Sequence, residues 1–562
     1  MTKLLAAPTE VSPRYKWLVL SNTTIGVLLA TIDSSIMLIA MPDIFRGIKL
    51  NPLEPGNTFY LLWMILGFLI VSSVLVVSLG RLGDMFGRVK MYNLGFVVYT
   101  VASLVLTLTP FTGEPGALWL IIGRIFQGVG AAFLVANSAA ILTDAFPSNQ
   151  RGLALGINNI AGISGTFIGL ILGGVLGAID WRLVFLVSVP FGLFGTIWAY
   201  LKLRDQGQRN PAKIDWLGNV TFAVGLILVM IGITYGIEPA NGQPMGWTSA
   251  PVLSLLGAGV LFLVIFAIVE TKVKDPMFRL PLFKIRAFTF GTFSTFLSAL
   301  ARGGLMFMLI IWLQGIWLPQ HGYAFEDTPL WAGIYMLPLT IGFLIAGPIS
   351  GFLSDKVGAR YFSTGGMVAT AICFILLMQL PIDFNYWAFA VILLFVGLSM
   401  GAFAAPNRAA IMNSLPARDR GAGGGMNSTL QNSAQVLSIG IFFTLMIVGL
   451  SGTLSTTLVQ GLTAHGVSHA VATQVGSLPP VSILFAAFLG YNPIQSLVGT
   501  GTLDHLSAAN REALTGHSFF SDLISAPFHA GLTEAFIFAA IMCLVAAAAS
   551  WSRGGRYVHT EK

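Results

Sequence analysis

The chain has 562 residues, of which 55% are hydrophobic and only 9% charged, against about 25% charged in an average soluble domain. So few charges cannot cover a water-facing surface on a chain this long, which excludes a soluble enzyme or a soluble binding module. The net charge of +7 does not point to nucleic acid either. The basic residues sit in short segments between apolar runs, where they act as orientation signals.

Apolar runs of about 20 residues, the length that crosses a hydrocarbon core at helical rise, recur from end to end. A barrel would instead show alternating segments of roughly ten residues. The expected fold class is therefore an all-α integral membrane protein embedded in the lipid bilayer. In chain order the predicted helices are 17–42, 58–80, 92–110, 117–142, 152–177, 183–203, 215–237, 251–270, 287–311, 329–353, 362–380, 386–413, 422–450 and 532–552, fourteen in all. The first, Trp17 to Met41, is longer than a signal-peptide core and is not followed by a small-residue cleavage site. With the N-terminus in the cytoplasm, 23 of the 30 Lys and Arg residues fall in cytoplasmic loops or tails. Arg46, Lys49, Arg182 and Arg511 fall outside, and Arg124, Arg302 and Arg408 within spans. Arg553 and Arg556 follow the last helix and keep the C-terminus cytoplasmic as well, which requires an even number of spans.

Within the first helix, Asp33 stands near the middle, in Ile32-Asp33-Ser34-Ser35-Ile36. A carboxylate there costs about 2.5–3.5 kcal/mol to insert, so its default reading is functional: it can carry a proton through a transport cycle. Glu534 is nearer the external end of its helix, Glu270 nearer the internal end, and no histidine is placed in a span. The alternative is that Asp33 is a structural partner for an arginine.

The loop after helix two reads Gly80-x-Leu82-x-Asp84-x-x-Gly87, and Gly351-x-Leu353-x-Asp355-x-x-Gly358 repeats it 271 residues later. Pro147-x-x-x-Arg151-Gly152 returns as Pro416-x-x-x-Arg420-Gly421, offset by 269. The chain thus divides into a cytoplasmic tail 1–16, a six-helix bundle 17–203, an inserted two-helix linker 204–286, a second six-helix bundle 287–552 with a long external loop 451–531, and a tail 553–562. Parallel repeats of this kind support alternating access, with a site between the halves near the midplane. In the loop, glycines permit a tight reversal. Asp84 is expected to accept bonds from a helix start, and Arg88 to pair with Asp144. These positions form the expected conformational-switch loop.

Helix four carries Arg124-Ile125-Phe126-Gln127-Gly128-Val129-Gly130. Arg124 is expected to face the bundle interior beside a carboxylate, with Gln127 on the same face at i,i+3. Helix five carries Gly165, Gly169, Gly173 and Gly177 at four-residue spacing, with Gly174 beside them. This is a smooth packing face, expected to seal the interface between the halves. Subtracting the repeat offset places Arg302 near Asp33, so the two can flank a central cavity; the alternative is a snorkelling side chain, as for Arg408. Arg302, Gln127, Asn158, Asn407, Asn427 and Gln431 are the candidates for lining a substrate cavity.

In the external loop, Val481 to Gly490 follows Pro479-Pro480; at ten residues it is too short to cross and suits an interfacial element. Five of the seven histidines, His465, His469, His505, His517 and His529, fall in this loop. Their spacing is irregular, as for solvated side chains rather than metal ligands. Cys373 and Cys543 both fall in spans, so no disulfide framework is expected.

These patterns resemble the major facilitator superfamily, and within it the fourteen-span drug:proton antiporter family, over nearly the whole chain. The 80–90 loop is similar to the superfamily's glycine-aspartate signature, and Arg124 to Gly130 to its helix-four signature, whose arginine is implicated in proton transfer. Asp33-x-Ser35-Ile36 followed by Ala40-Met41-Pro42 resembles the family's first-span signature, with Ser35 where threonine is usual and Leu38 where asparagine is usual. In helix five, Gly169-Leu170-Ile171-Leu172-Gly173-Gly174 has leucine where the antiporter signature has proline, which removes an expected bend. The resemblance implies a proton-coupled exporter of amphipathic or lipophilic small molecules in the cytoplasmic membrane, working as a monomer, with Asp33 and Arg124 in proton coupling. No cofactor is expected, and no GxxxxGK[ST] loop or nucleophile–base arrangement is present to suggest an ATP-driven pump or an enzyme. The rival readings are a proton-linked importer or lipid or metabolite transporter of the same fold, and a transport-dead membrane sensor.

Overall fold

The computed structural model describes residues 13–554 except 52, 53, 55, 148, 149, 206–214, 241, 242, 244, 417, 418, 490 and 491. The tails 1–12 and 555–562, with Arg556, lie outside the described residues, as do the side chains of Arg151, Asp355 and Arg420.

Among the described residues fourteen helices are long and apolar enough to cross a membrane. They are α1 (Arg14–Ile48), α2 (Phe59–Phe86), α3 (Arg88–Thr107), α4 (Gly113–Ala145), α5 (Gly156–Ile179), α6 (Leu183–Lys202), α7 (Trp216–Ile237), α8 (Ala250–Lys272), α9 (Arg286–Gln320), α10 (Thr328–Ser354), α11 (Ala359–Met378), α12 (Tyr386–Asn413), α13 (Ala422–Ser451) and α14 (Phe519–Ser552). The end carrying the 80–90 loop is called the inner end below, and the opposite one the outer end. The chain is a multi-pass membrane protein. Its apolar side chains point outward as well as inward: Val101, Leu104, Ile122 and Phe126 are exposed on α3 and α4, and Leu253, Val260, Val264 and Ile268 on α8. Such faces are stable only against lipid.

Helices α1–α6 pack chiefly on one another, and α9–α14 likewise; the two sets are called the first and second bundle below. Hydroxyls tie α3 to α1, Tyr92 donating to the Asn22 carbonyl at 3.1 Å and Tyr99 to the Leu29 carbonyl at 3.2 Å. The repeat is visible in the packing. A Cβ on Gly80 would stand 3.6 Å from the Ala136 methyl, and one on Gly351 3.7 Å from the Ala405 methyl, a pair of contacts shifted by nearly the same sequence offset.

The glycine face of α5 does not meet the other half. Gly165, Gly169, Gly173 and Gly177 close on Leu28, Ile32, Ile36 and Ala40 of α1, so the stripe locks two helices of the same bundle. It is Gly174, turned to another face, that meets the second half, at Pro329 and Leu330. Gly333 of α10 answers by resting on the Leu170 carbonyl. Both contacts lie in the outer part of the molecule.

Three further features depart from the hydropathy reading. Helix α9 runs beyond 311 through one π turn, Trp312–Trp317, to Gln320. Helix α14 starts at Phe519, not 532, because Ser521, Asp522, Ser525 and Pro527 depress the hydropathy of its first turns. His529 therefore lies inside α14, with Nε2 bonded to the Leu380 carbonyl at 3.0 Å, which corrects its placement in the external loop. The third feature is the apolar piece after Pro479. It forms a helix, Pro480–Phe488, set at 86° to the helix His469–Gly476 before it. Every residue from Val481 to Leu489 is buried. It is a wedge, not an interfacial element: Phe488 lies 5.0 Å from Phe307 of α9 and Phe485 5.2 Å from Phe443 of α13, between ring centroids. Burial of Leu484, Phe485 and Phe488 is worth about 1.5–3 kcal/mol each, enough to hold a short helix that would be marginal alone.

At the inner end the segment after α8 is strapped across both halves. Asp215 accepts from the Gly218 and Met277 amides at 2.7 and 3.4 Å, and Glu270 from the Phe278 amide at 2.7 Å. Arg81 donates to the carbonyls of Asp275, at 2.8 Å, and Pro276. Arg279 pairs with Asp419, ahead of α13.

Candidate functional site

Two groups of side chains stand out inside the membrane-spanning region, one within the first bundle and one between the bundles. In the first, α1, α3 and α4 bring Asp33, Ser103, Arg124 and Gln127 together. Asp33 and Arg124 are fully buried and form an ion pair through Oδ2 and Nη1. Gln127 Nε2 donates to the other Asp33 oxygen at 2.9 Å and to Ser103 Oγ at 2.9 Å, while its Oε1 accepts from Arg124 at 2.6 Å. Arg124 Nε reaches the Met64 carbonyl at 3.3 Å, and its guanidinium lies 4.3 Å from the Phe68 ring centroid. Both carboxylate oxygens are thus satisfied and the pair is neutral as a unit. This is the arrangement in which a buried pair is tolerated, and removing one partner from it costs about 3–5 kcal/mol. Sequence spacing brings out Arg124 and Gln127; Ser103 carries no signal of its own in α3.

The loop between α2 and α3 is a single residue wide. Gly87 has φ +111° and its counterpart Gly358 φ +104°, a region open to glycine and strained for other residues. The sharp turn lays Arg88 back over the end of α2, where it pairs with Asp84 at 2.8 Å and Asp144 at 2.6 Å. The Arg88–Asp144 pairing expected from the sequence is present. Asp84, however, does not cap α3, whose start has no side-chain cap; its acceptor is spent on Arg88.

Between the bundles, just inward of the α5–α10 contact, lies a cavity of about 150 Å³ lined by Thr166, Arg302, Leu305, Met306, Leu339, Thr340, Phe343 and Met400. Arg302 is the only charged side chain among them. No ion pair or hydrogen bond to it is formed among the described residues. Of the side chains picked from the sequence as cavity candidates, Arg302 alone lines this space. Gln127 is engaged with Asp33, and Asn158 donates to Ser138 Oγ at 3.0 Å. Asn407 bonds the Gly291 carbonyl, Thr295 and Arg553 at 2.9–3.0 Å. Asn427 is buried with its Oδ1 unpaired, and Gln431 is half-buried on α13. Thr166 and Thr340 were not legible from sequence, since threonines in spans usually bond their own helix.

A family model for the Major Facilitator Superfamily matches residues 23–439. Among curated relatives, the riboflavin transporter RibZ of Clostridioides difficile (strain 630) is 27% identical over 85% of this chain and 97% of its own length. The tetracenomycin C resistance and export protein of Streptomyces glaucescens is 26% identical, over 95% and 90%. The methyl viologen resistance protein SmvA of Salmonella typhimurium (strain 14028s / SGSC 2262) is 28% identical, over 83% and 90%. Among solved structures, a bacterial homologue of the human lysosomal transporter Spinster, in an inward-facing and unoccupied conformation, superposes with a TM-score of 0.55. It is 16% identical and covers 98% of this chain and 100% of its own. The fold, the repeated glycine-aspartate loop and the matched region agree: the chain belongs to the Major Facilitator Superfamily, in the fourteen-span branch that holds the drug:proton antiporters.

Proposed function

We propose that the protein is a proton-coupled secondary active exporter of amphipathic or lipophilic small molecules, working by alternating access as a monomer in the cytoplasmic membrane with both termini inside. The observation that carries this reading is the sealed Asp33–Arg124–Gln127 cluster inside one bundle, separate from the cavity between the bundles. When Asp33 takes a proton its charge is lost, and Arg124 is left without a partner in a low-dielectric interior. That mismatch is the drive for the bundles to re-pack, because a buried unpaired charge costs more than a rearranged interface. Each proton moving down the gradient contributes about 2.3 kcal/mol per 100 mV of potential. The switch loop, with Arg88 between Asp84 and Asp144, is the contact that breaks and re-forms as the inner end opens and closes.

The resistance and export functions in the names of several relatives support export. The name of RibZ supports a second reading, a metabolite transporter of the same fold. Proteoliposomes with an imposed proton gradient test both. A panel of fluorescent amphiphiles of either charge, together with riboflavin, is followed in wild type and Asp33→Asn at matched protein levels. Gradient-driven movement that vanishes in Asp33→Asn is the expected result. Equal movement in both proteins removes Asp33 from coupling, and riboflavin as the sole compound moved would favour the second reading.

A further inference from the structure

The interbundle cavity has a charge that no described residue pairs with. Arg302 sits mid-span on α9, far from either helix end, partly exposed and facing the cavity. A guanidinium stays protonated in proteins, and one left unpaired in a membrane interior is costly. The carboxylate nearest by repeat position, Asp33, is already committed to Arg124 and Gln127. No carboxylate lines the cavity. The Thr340 hydroxyl, on the wall of the same cavity, also has no hydrogen-bond partner among the described residues. The rest of the wall is apolar and polarisable: Leu305, Met306, Leu339, Phe343 and Met400.

We infer that this cavity is the head-group site for an amphipathic organic monoanion, a carboxylate on an aromatic or short aliphatic body, and therefore that the transported class is anionic rather than cationic. One cationic side chain matches one negative charge; a dianion would leave charge uncompensated and a cation would be repelled. The guanidinium fork presents two parallel donors to a carboxylate, and the Thr340 hydroxyl supplies a third donor beside them. The apolar wall receives the body, Met side chains adapting to its outline. About 150 Å³ is close to the volume that takes a single benzene ring in an engineered apolar cavity, so the seated part is compact. The inference deepens the exporter reading by naming its substrate class, and rests on that reading only for the word transported.

Binding to purified protein in nanodiscs of neutral lipid, with no gradient, tests the site itself. Three probes share one ring: benzoate, benzyl alcohol and benzylammonium. Benzoate is expected to bind at least tenfold more tightly than the alcohol, and the ammonium to bind weakest. Arg302→Gln brings benzoate to the level of the alcohol, Arg302→Lys retains part of the preference, and Thr340→Val weakens benzoate a few-fold while leaving the alcohol unchanged. The threonine variant carries the test should Arg302→Gln fail to elute as a folded monodisperse species. Equal benzoate binding in wild type and the variants, or tighter binding of the ammonium, overturns the inference. The two readings separate cleanly. Gradient-driven, Asp33-dependent export of neutral or cationic compounds with no role for Arg302 sinks the anion site and leaves the exporter. Arg302-dependent benzoate binding without any gradient response sinks the exporter and leaves the site.

Discussion

Gly87 and Gly80 lie in one signature yet answer to different constraints. Gly87 combines φ +111° with a Cβ position that would overlap the Asp205 carboxylate, whereas a methyl on Gly80 meets Ala136 at an ordinary 3.6 Å. Gly87→Ala is therefore expected to lower thermal stability by an amount equivalent to about 1–2 kcal/mol, and Gly80→Ala to leave it nearly unchanged, in melts monitored by size-exclusion fluorescence. The buried ion pair makes a second prediction. Asp33→Asn and Arg124→Gln should each be strongly destabilising, and the double variant less so than the sum of the two; strict additivity in the same melts would mean the pair is not coupled. A third concerns Glu238, which follows α7 at the outer end. Burial raises its carboxyl above the ordinary range, and its Oε1 has no partner. A raised carboxyl pKa means that the folded state holds the proton better than the unfolded one. The stabilisation is present at acid pH and lost as pH rises through the folded value. Glu238→Gln should accordingly raise the melting temperature at pH 8 and change it little at pH 5.

Helices were the most legible level. Fourteen apolar runs gave fourteen spans because in lipid every backbone donor must be satisfied inside its own helix, and hydropathy reports that requirement directly. What hydropathy does not report is the partner. The α5 glycines announce close packing, but their four-residue spacing cannot say whether α1 or the opposite bundle lies against them. The first turns of α14 are polar because Ser521 donates to the Gly315 carbonyl at 2.9 Å, a tertiary bond invisible in the sequence. The π turn of α9 leaves no compositional trace. The charged pair was half-legible: Asp33 and Arg124 each looked costly alone, but only the structure shows them meeting. The division of labour on α5 can be measured. A methyl on Gly169 would intrude on the Ile32 carbonyl and Ser35, and one on Gly174 on the Leu330 backbone. Gly169→Ala is expected to weaken the first bundle and lower its melting temperature. Gly174→Ala should instead loosen the outer contact between bundles, seen as several-fold faster labelling of a Thr166→Cys variant by an impermeant thiol reagent applied from outside. Faster labelling in Gly169→Ala but not in Gly174→Ala would reverse this assignment.

At the scale of the whole molecule, the two bundles touch in the outer part through Gly174, Leu330 and Gly333, with Gln314 of the π turn donating to the Ile39 carbonyl at 3.4 Å. At the inner end Val77 of α2 lies beside Gly425 of α13, and the strap after α8 adds a second link, bonded through Arg81 to the first bundle and through Arg279 to Asp419 of the second. The inserted helices are thus more than a spacer, since their trailing segment is bonded to both bundles. Arg279 is half exposed, so its pair is worth at most about 1 kcal/mol. Arg279→Glu should raise chymotryptic cleavage at Phe278 and Phe283 up to about fivefold without lowering the melting temperature appreciably; an unchanged cleavage rate would mean that the pair does not hold the strap.

The wedge Pro480–Phe488 also constrains how the molecule is made. It emerges from the ribosome after α13 and before α14, is delivered to the outer side with the rest of its segment, and then has to re-enter a slot whose walls, α9 and α13, must already stand together. Its seating therefore follows the assembly of α9 with α13. The final helix, which follows it in the chain, begins at Phe519 and sets Ser521 against the same π turn that receives Ala487, so α14 closes the slot behind it. Biogenesis therefore ends with a latch, and the neighbouring surface helix Ala508–Thr515, exposed over most of its length, is the place where an epitope can be inserted without holding that latch open.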